Sequence, residues 1–138
     1  ALGRYSQGIS VAKALAQGLG AKVKNALEKT IQLEPQHADA RIALGAFHAE
    51  VIDKVGPLIG GMTYGAKKDT GLKLFEEALA LCPHMPIALI EYANGMVMLE
   101  GDKRLAEATK LYEKAAACKP QDAMERLDVE MARAELAD

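Results

Sequence analysis

Three groups of residues in this 138-residue chain have types that could do chemistry. The run Gly60-Gly61-Met62-Thr63-Tyr64-Gly65-Ala66-Lys67-Lys68 has the glycines and lysines of a phosphate-binding loop. That chemistry needs Gly-Lys-Ser/Thr in succession, so that backbone N–H groups, an ammonium and a metal-binding hydroxyl converge. Here Ala66 intervenes, Asp69 follows Lys68, and no strand-like run comes before, so a turn between helices is the better reading. Cys82 and His84 form a Cys-x-His pair, with His37 and His48 elsewhere. A structural zinc site wants four ligands in paired spacings, so no metal site is assigned. His48 beside Glu50 or Asp53 has the parts of an acid–base couple. No nucleophile or oxyanion device accompanies it. No catalytic residue is assigned and no cofactor is implied, so the chain reads as a non-enzyme.

The elements that must carry these residues repeat. Ala26-Leu27-Glu28-Lys29 leads to Glu34-Pro35, Phe75-Glu76-Glu77-Ala78-Leu79 to Cys82-Pro83, and Tyr112-Glu113-Lys114-Ala115 to Lys119-Pro120. Ala1-Leu2-Gly3-Arg4-Tyr5 recurs as Ala43-Leu44-Gly45-Ala46-Phe47. Each proline closes a helix, because it lacks the next N–H and turns its predecessor away from the helical region. New helices are expected near Ala38, Pro86 and Ala123, with Pro86 at a first helical position. Asp122 should cap the last of them, with Glu125 completing a capping box. Gly45, inside an apolar stripe of Ala40, Ala43, Leu44 and Phe47, predicts close approach by a neighbouring helix. Leu74, Phe75, Ala78 and Leu79, then Leu111, Tyr112, Ala115 and Ala116, set large knobs over small holes.

These residues resemble the tetratricopeptide repeat. Leu44, Gly45 and Phe47 match its first-helix half. Phe75, Ala78 and Pro83, and likewise Ala108, Tyr112, Ala115 and Pro120, match its second. The first unit keeps Leu2, Gly3, Leu27 and Pro35 but has Val23 and Thr30 where alanines are usual. The resemblance implies an all-α, right-handed α-solenoid of about three helix pairs in one domain over 1–138. The units run over about 1–35, 38–83 and 86–120, with a capping helix at 122–137 whose Leu127, Met131 and Ala134 face inward. The family period is about 34 residues, yet Pro35 to Pro83 is 48 and Pro83 to Pro120 is 37. The excess in the middle unit lies in 51–65, as either a longer helix or a projecting loop.

The resemblance also implies a concave groove lined by first helices. Matching positions are Asp39, Ile42, Ala46, Ala49 and Glu50 in the second unit, and Ile87, Ile90, Asn94, Val97 and Met98 in the third. So many apolar side chains on one face are a contact signal. Either they form an accessible face, or the 51–65 insert or the last helix covers them as core. Asn94 matches the asparagine with which some members grip a terminal carboxylate, but the cooperating lysines and arginines are missing.

Composition bounds the rest. Half the residues are apolar, 4% are aromatic and the net charge is −2, so no basic stripe points to nucleic acid. Residues 1–36 carry a balance of +3 and residues 121–138 one of −4, a gradient read first as a solvated face. Cys82 and Cys118 occupy corresponding turns, where small packing residues are expected rather than a disulfide. No run is apolar enough to insert into a membrane. The opening Ala1-Leu2-Gly3 reads as the middle of a helix, so a fragment of a longer chain is expected, with a cytoplasmic location. The leading functional expectation is a non-catalytic scaffold that binds a protein or peptide, or its own copy. The alternative is a small-ligand-binding or transport-associated subunit with 51–65 closing a pocket.

Overall fold

The structure, a computed structural model, describes residues 18–137. The helix expected at the start of the first unit, with Leu2 and Gly3, falls outside them. Among the described residues there are six α-helices and one 3-10 turn, with no strand. They are α1 (Gly20–Leu33), α2 (Ala38–Tyr64), α3 (Lys68–Leu81), α4 (Pro86–Glu100), α5 (Leu105–Ala116) and α6 (Ala123–Ala137), with the 3-10 turn at Gly101–Arg104 before α5.

Local chemistry sets the boundaries. After Pro35 the imidazole of His37 caps α2, its Nδ1 accepting from the Ala40 N–H at 3.0 Å. Pro86 opens α4 where no intrahelical N–H is required. At α6, Asp122 Oδ1 accepts from the Glu125 N–H at 2.8 Å, and Glu125 Oε1 accepts from the Gln121 N–H at 3.0 Å. The reciprocal bond thus reaches one residue further back than an ordinary capping box.

The 51–65 insert combines the two alternatives read from sequence. Helix α2 continues through Val55, breaks at Gly56 (φ 85°, ψ 161°), and resumes with Pro57 for two further turns. Glycine alone tolerates that backbone, and proline suits the first position of the resumed helix. Gly65, in the left-handed region, ends it. The short resumed segment folds against its parent. A Cβ on Gly60 would come within 3.3 Å of Val51 Cγ1 and 3.7 Å of Ile52 Cγ1.

Consecutive helices pack on each other, and alternate helices also touch: α2 meets α4, and α4 meets α6. The core follows this order. Leu44, Phe47, Val51, Ile52, Ala66 and Leu74 form one cluster, against which Val23, Leu27 and Ile31 of α1 lie at helical spacing. Ile42, Phe75, Ala78 and Ile87 join α2, α3 and α4. Leu89, Ile90, Ala115 and Ala132 join α4, α5 and α6.

Phe75 is the central knob. Its ring lies between Gly45 of α2 and Gly95 of α4, stacked 5.6 Å from Tyr92. A Cβ on Gly45 would sit 3.1 Å from the ring, and one on Gly95 only 2.5 Å. The close approach expected at Gly45 is present, and Gly95 supplies the tighter half of the slot.

Helix α6 is rotated from the expected orientation. Asp128, Val129 and Ala132 are buried, whereas Leu127 and Met131 are 46% and 48% exposed and Ala134 is exposed. The stripe that faces inward is the one that sets Ala132 in the cluster with Leu89, Ile90 and Ala115, where its small side chain permits close packing. Among the described residues, no helix is long and apolar enough to cross a membrane.

Candidate binding groove

On α2, Ala46, Ala49 and Glu50 fall at i, i+3 and i+4 and so share one face. Opposite them, α4 presents Glu91, Asn94, Gly95 and Met98 at the same spacing. With Phe75 as floor, these eight residues line a recess of about 80 Å³. Five of them are expected groove residues: Ala46, Ala49, Glu50, Asn94 and Met98. Asn94 and Met98 also line the adjoining trough of about 430 Å³, with Val97, Leu105, Tyr112, Glu135 and Leu136 among its walls. Recess and trough thus share Asn94 and Met98 of α4, and between them border α2, α4, α5 and α6.

Three other expected groove residues belong to the core, and Ala49 is buried as well. Ile42 is 4%, Ile87 3% and Ile90 1% exposed, beside 1% for Ala49 at the recess wall. The cause is the contact between alternate helices. Ile42 and Ile87 share one buried cluster with Phe75, and Ile90 shares another with Ala115 and Ala132. The 51–65 insert has no part in this, since it packs around Val51 and Gly60. Asp39 is exposed at the start of α2, away from the recess lining. The sequence pattern passed over Glu91, Gly95 and Phe75. The first two were recoverable from spacing, being three residues before Asn94 and next to it.

Glu50 and Glu91 line the recess and Glu135 the trough, and among the described residues no lysine or arginine lines either. Burial raises the Glu50 carboxyl from its ordinary 4.5 to about 7; Lys54 opposes the rise, while Glu91 and Asp53 add to it. The Tyr112 hydroxyl is also raised, first by burial, with Glu135 and Glu91 contributing and its hydrogen bond to Asn94 opposing. Tyr112 Oη donates to Asn94 Oδ1, so that amide oxygen is already engaged. Such a surface is ill suited to the carboxylate of a peptide terminus.

The other candidate chemistry resolves into structure. Gly60 and Gly61 lie inside a helix. The Gly65 N–H bonds Gly61 O at 3.1 Å, the Ala66 N–H bonds Gly60 O at 3.0 Å, and the Lys67 N–H bonds His48 Nδ1 at 2.9 Å. Three successive donors that could cradle a phosphate are thus in use. His48 is 2% exposed, and burial, reinforced by Lys24, lowers its pKa from 6.5 to about 4. It is a neutral acceptor that fastens the α2–α3 turn. Glu50, two residues on, lies about 200° round the helix, so the two do not form an acid–base couple. Cys82 and Cys118 are free and half-buried, and both line a recess of about 600 Å³ between the two closing turns. That recess is larger than the α2–α4 one, but it is walled by turn residues and lacks the facing carboxylates. Among the described residues, no three His, Cys, Asp or Glu side chains gather as a metal site.

No family model matches the chain, and no curated protein matches it in sequence.

Proposed function

We propose that this chain is a non-catalytic binding module of the tetratricopeptide kind. In this reading α1–α6 belong to a right-handed solenoid of about three helix pairs, and the α2–α4 face holds a segment of a partner protein. The observation that carries the proposal is the convergence of Ala46, Glu50, Asn94 and Met98, taken from two separate units, on one recess. Alternate-helix contacts support the stacked arrangement. The same geometry disfavours the small-ligand alternative, because residues 51–65 contribute nothing to the walls of the recess or of the adjoining trough.

Site-specific photocrosslinking tests the proposal. A photoreactive amino acid at Met98, 38% exposed at the lip, should capture a discrete partner in lysate of the source cells. The same group at exposed Lys110 on α5, outside both recesses, should not. Equal capture at both positions, or capture at Lys110 alone, would contradict the groove.

A further inference from the structure

The 51–65 insert carries an apolar face that nothing in the fold uses. From Val55 to Ala66 the chain has no charged residue. In the resumed helix Leu58, Ile59 and Met62 fall at i, i+1 and i+4 and share one face, turned away from Gly60, which packs on Val51. That face looks into water: Leu58 is 73%, Ile59 55% and Met62 80% exposed. Three large apolar side chains side by side make a patch of the size that marks an interaction site. The same chain offers a matching hollow. The trough beside the recess measures about 430 Å³, with Val97, Met98, Leu105 and Leu136 in its walls. A cavity left by one truncated leucine is roughly 150 Å³, so the trough has room for two such side chains. Short links reverse the chain between consecutive helices, so the α2–α3 and α4–α5 turns fall on one edge of the molecule. The prong stands at the first turn, and Val97 and Leu105 flank the second. Charge agrees with this pairing. Exposed Lys54 and Lys67 bracket the prong, with Asp53 beside the first, whereas the charged residue of the trough wall is Glu135.

We propose that the occupant of the groove is a second copy of this chain, held in a reciprocal two-fold pair in which the Leu58–Ile59–Met62 prong of each copy enters the Val97–Leu105–Leu136 trough of the other. The proposal rests on the groove reading above and names its occupant. Reciprocity follows from area. A stable interface takes about 800 Å² from each partner, and three side chains on one prong do not supply it. In a two-fold pair each chain buries both its prong and its trough, so each contributes twice. Prong and trough share an edge, so two such edges can face each other and make both contacts at once. The same patch then serves on both copies, and assembly closes at two instead of propagating. The lysines that bracket a prong border the Glu135 wall of the trough it fills, which sets orientation more than affinity.

The test uses the whole purified chain in analytical ultracentrifugation over about 1–100 μM. The mass should rise from one chain to two and no further. Leu58→Asp with Met62→Asp removes the prong, and Leu105→Asp with Leu136→Asp removes the trough. All four positions are exposed, so thermal melts should match the parent while each double variant weakens dimerisation by about tenfold or more. If the trough variant does not fold, Thr109→Arg at the exposed trough wall should weaken the pair in its place. A mixture of the two double variants, labelled as energy-transfer donor and acceptor, keeps one intact prong opposite one intact trough. It should associate more tightly than either variant does with itself, and less tightly than the parent. A mass of one chain throughout, growth beyond two copies, a dimer untouched by a folded prong or trough variant, or a mixture no tighter than its components would each overturn the proposal. If the purified chain stays monomeric while Met98 still crosslinks a different protein, the second copy fails as occupant and the groove survives; loss of the crosslink as well removes both.

Discussion

Gly95 and Gly45 look interchangeable as small residues, but the Phe75 ring distinguishes them. At Gly45 a methyl group would need a few tenths of an ångström of give, partly offset by alanine's helix propensity of about 1 kcal/mol over glycine. At Gly95 it would come 2.5 Å and 2.9 Å from two atoms of a ring that is 1% exposed. Gly95→Ala should therefore destabilise by about 1–3 kcal/mol, while Gly45→Ala changes stability much less. Equal melting temperatures for Gly95→Ala and the parent would refute the slot. Titration separates two more residues. His48, lowered to about 4, contributes stability that is complete above 6.5 and is lost as pH falls towards 4. Glu50, raised to about 7, contributes stability that is complete below 4.5 and is lost as pH rises through 7. The slopes oppose each other between these limits. Glu50→Gln should leave the His48 effect uncompensated, so that the variant loses more stability than the parent on going from pH 7 to 4.5. Parallel melting curves across that range would contradict the assignment.

Helix starts were legible in the sequence because prolines and caps act locally: Ala38, Pro86 and Ala123 each open a helix where expected. Helix rotation was less so. The stripe Leu127, Met131, Ala134 is as regular as Asp128, Val129, Ala132, and packing of Ala132 against Leu89, Ile90 and Ala115 decides between them. The 51–65 insert was ambiguous for a similar reason, since its apolar residues suit a helix while Gly56-Pro57 forbids an unbroken one. The positive φ at Gly56 makes a direct prediction. Gly56→Ala should cost about 1–3 kcal/mol, although no atom lies within 4 Å of the added methyl group. A calorimetric melt that does not move would mean that the segment relaxes freely out of this conformation.

At the scale of the molecule, repetition predicted which faces correspond but not which of them a next-but-one helix would cover. Ile42 and Ile90 hold equivalent places, seven residues beyond their prolines, and both are buried by helices that follow. In α6 the corresponding residue is Leu127, and it is exposed. Further along α2 and α4 the expected groove residues stay open, and there Ala46, Glu50, Asn94 and Met98 meet. One paired measurement tests this division between core and groove: thermal stability and Met98-independent partner capture (through a C-terminal tag) for Ile90→Asp and for Met98→Asp. Ile90→Asp places an unpaired charge among Leu89, Ala115 and Ala132, so its melt should collapse. Met98→Asp should melt like the parent, because its charge stays in water, yet lose the partner. A stable Ile90→Asp chain, or a folded Met98→Asp chain that captures its partner as well as the parent does, would contradict the account.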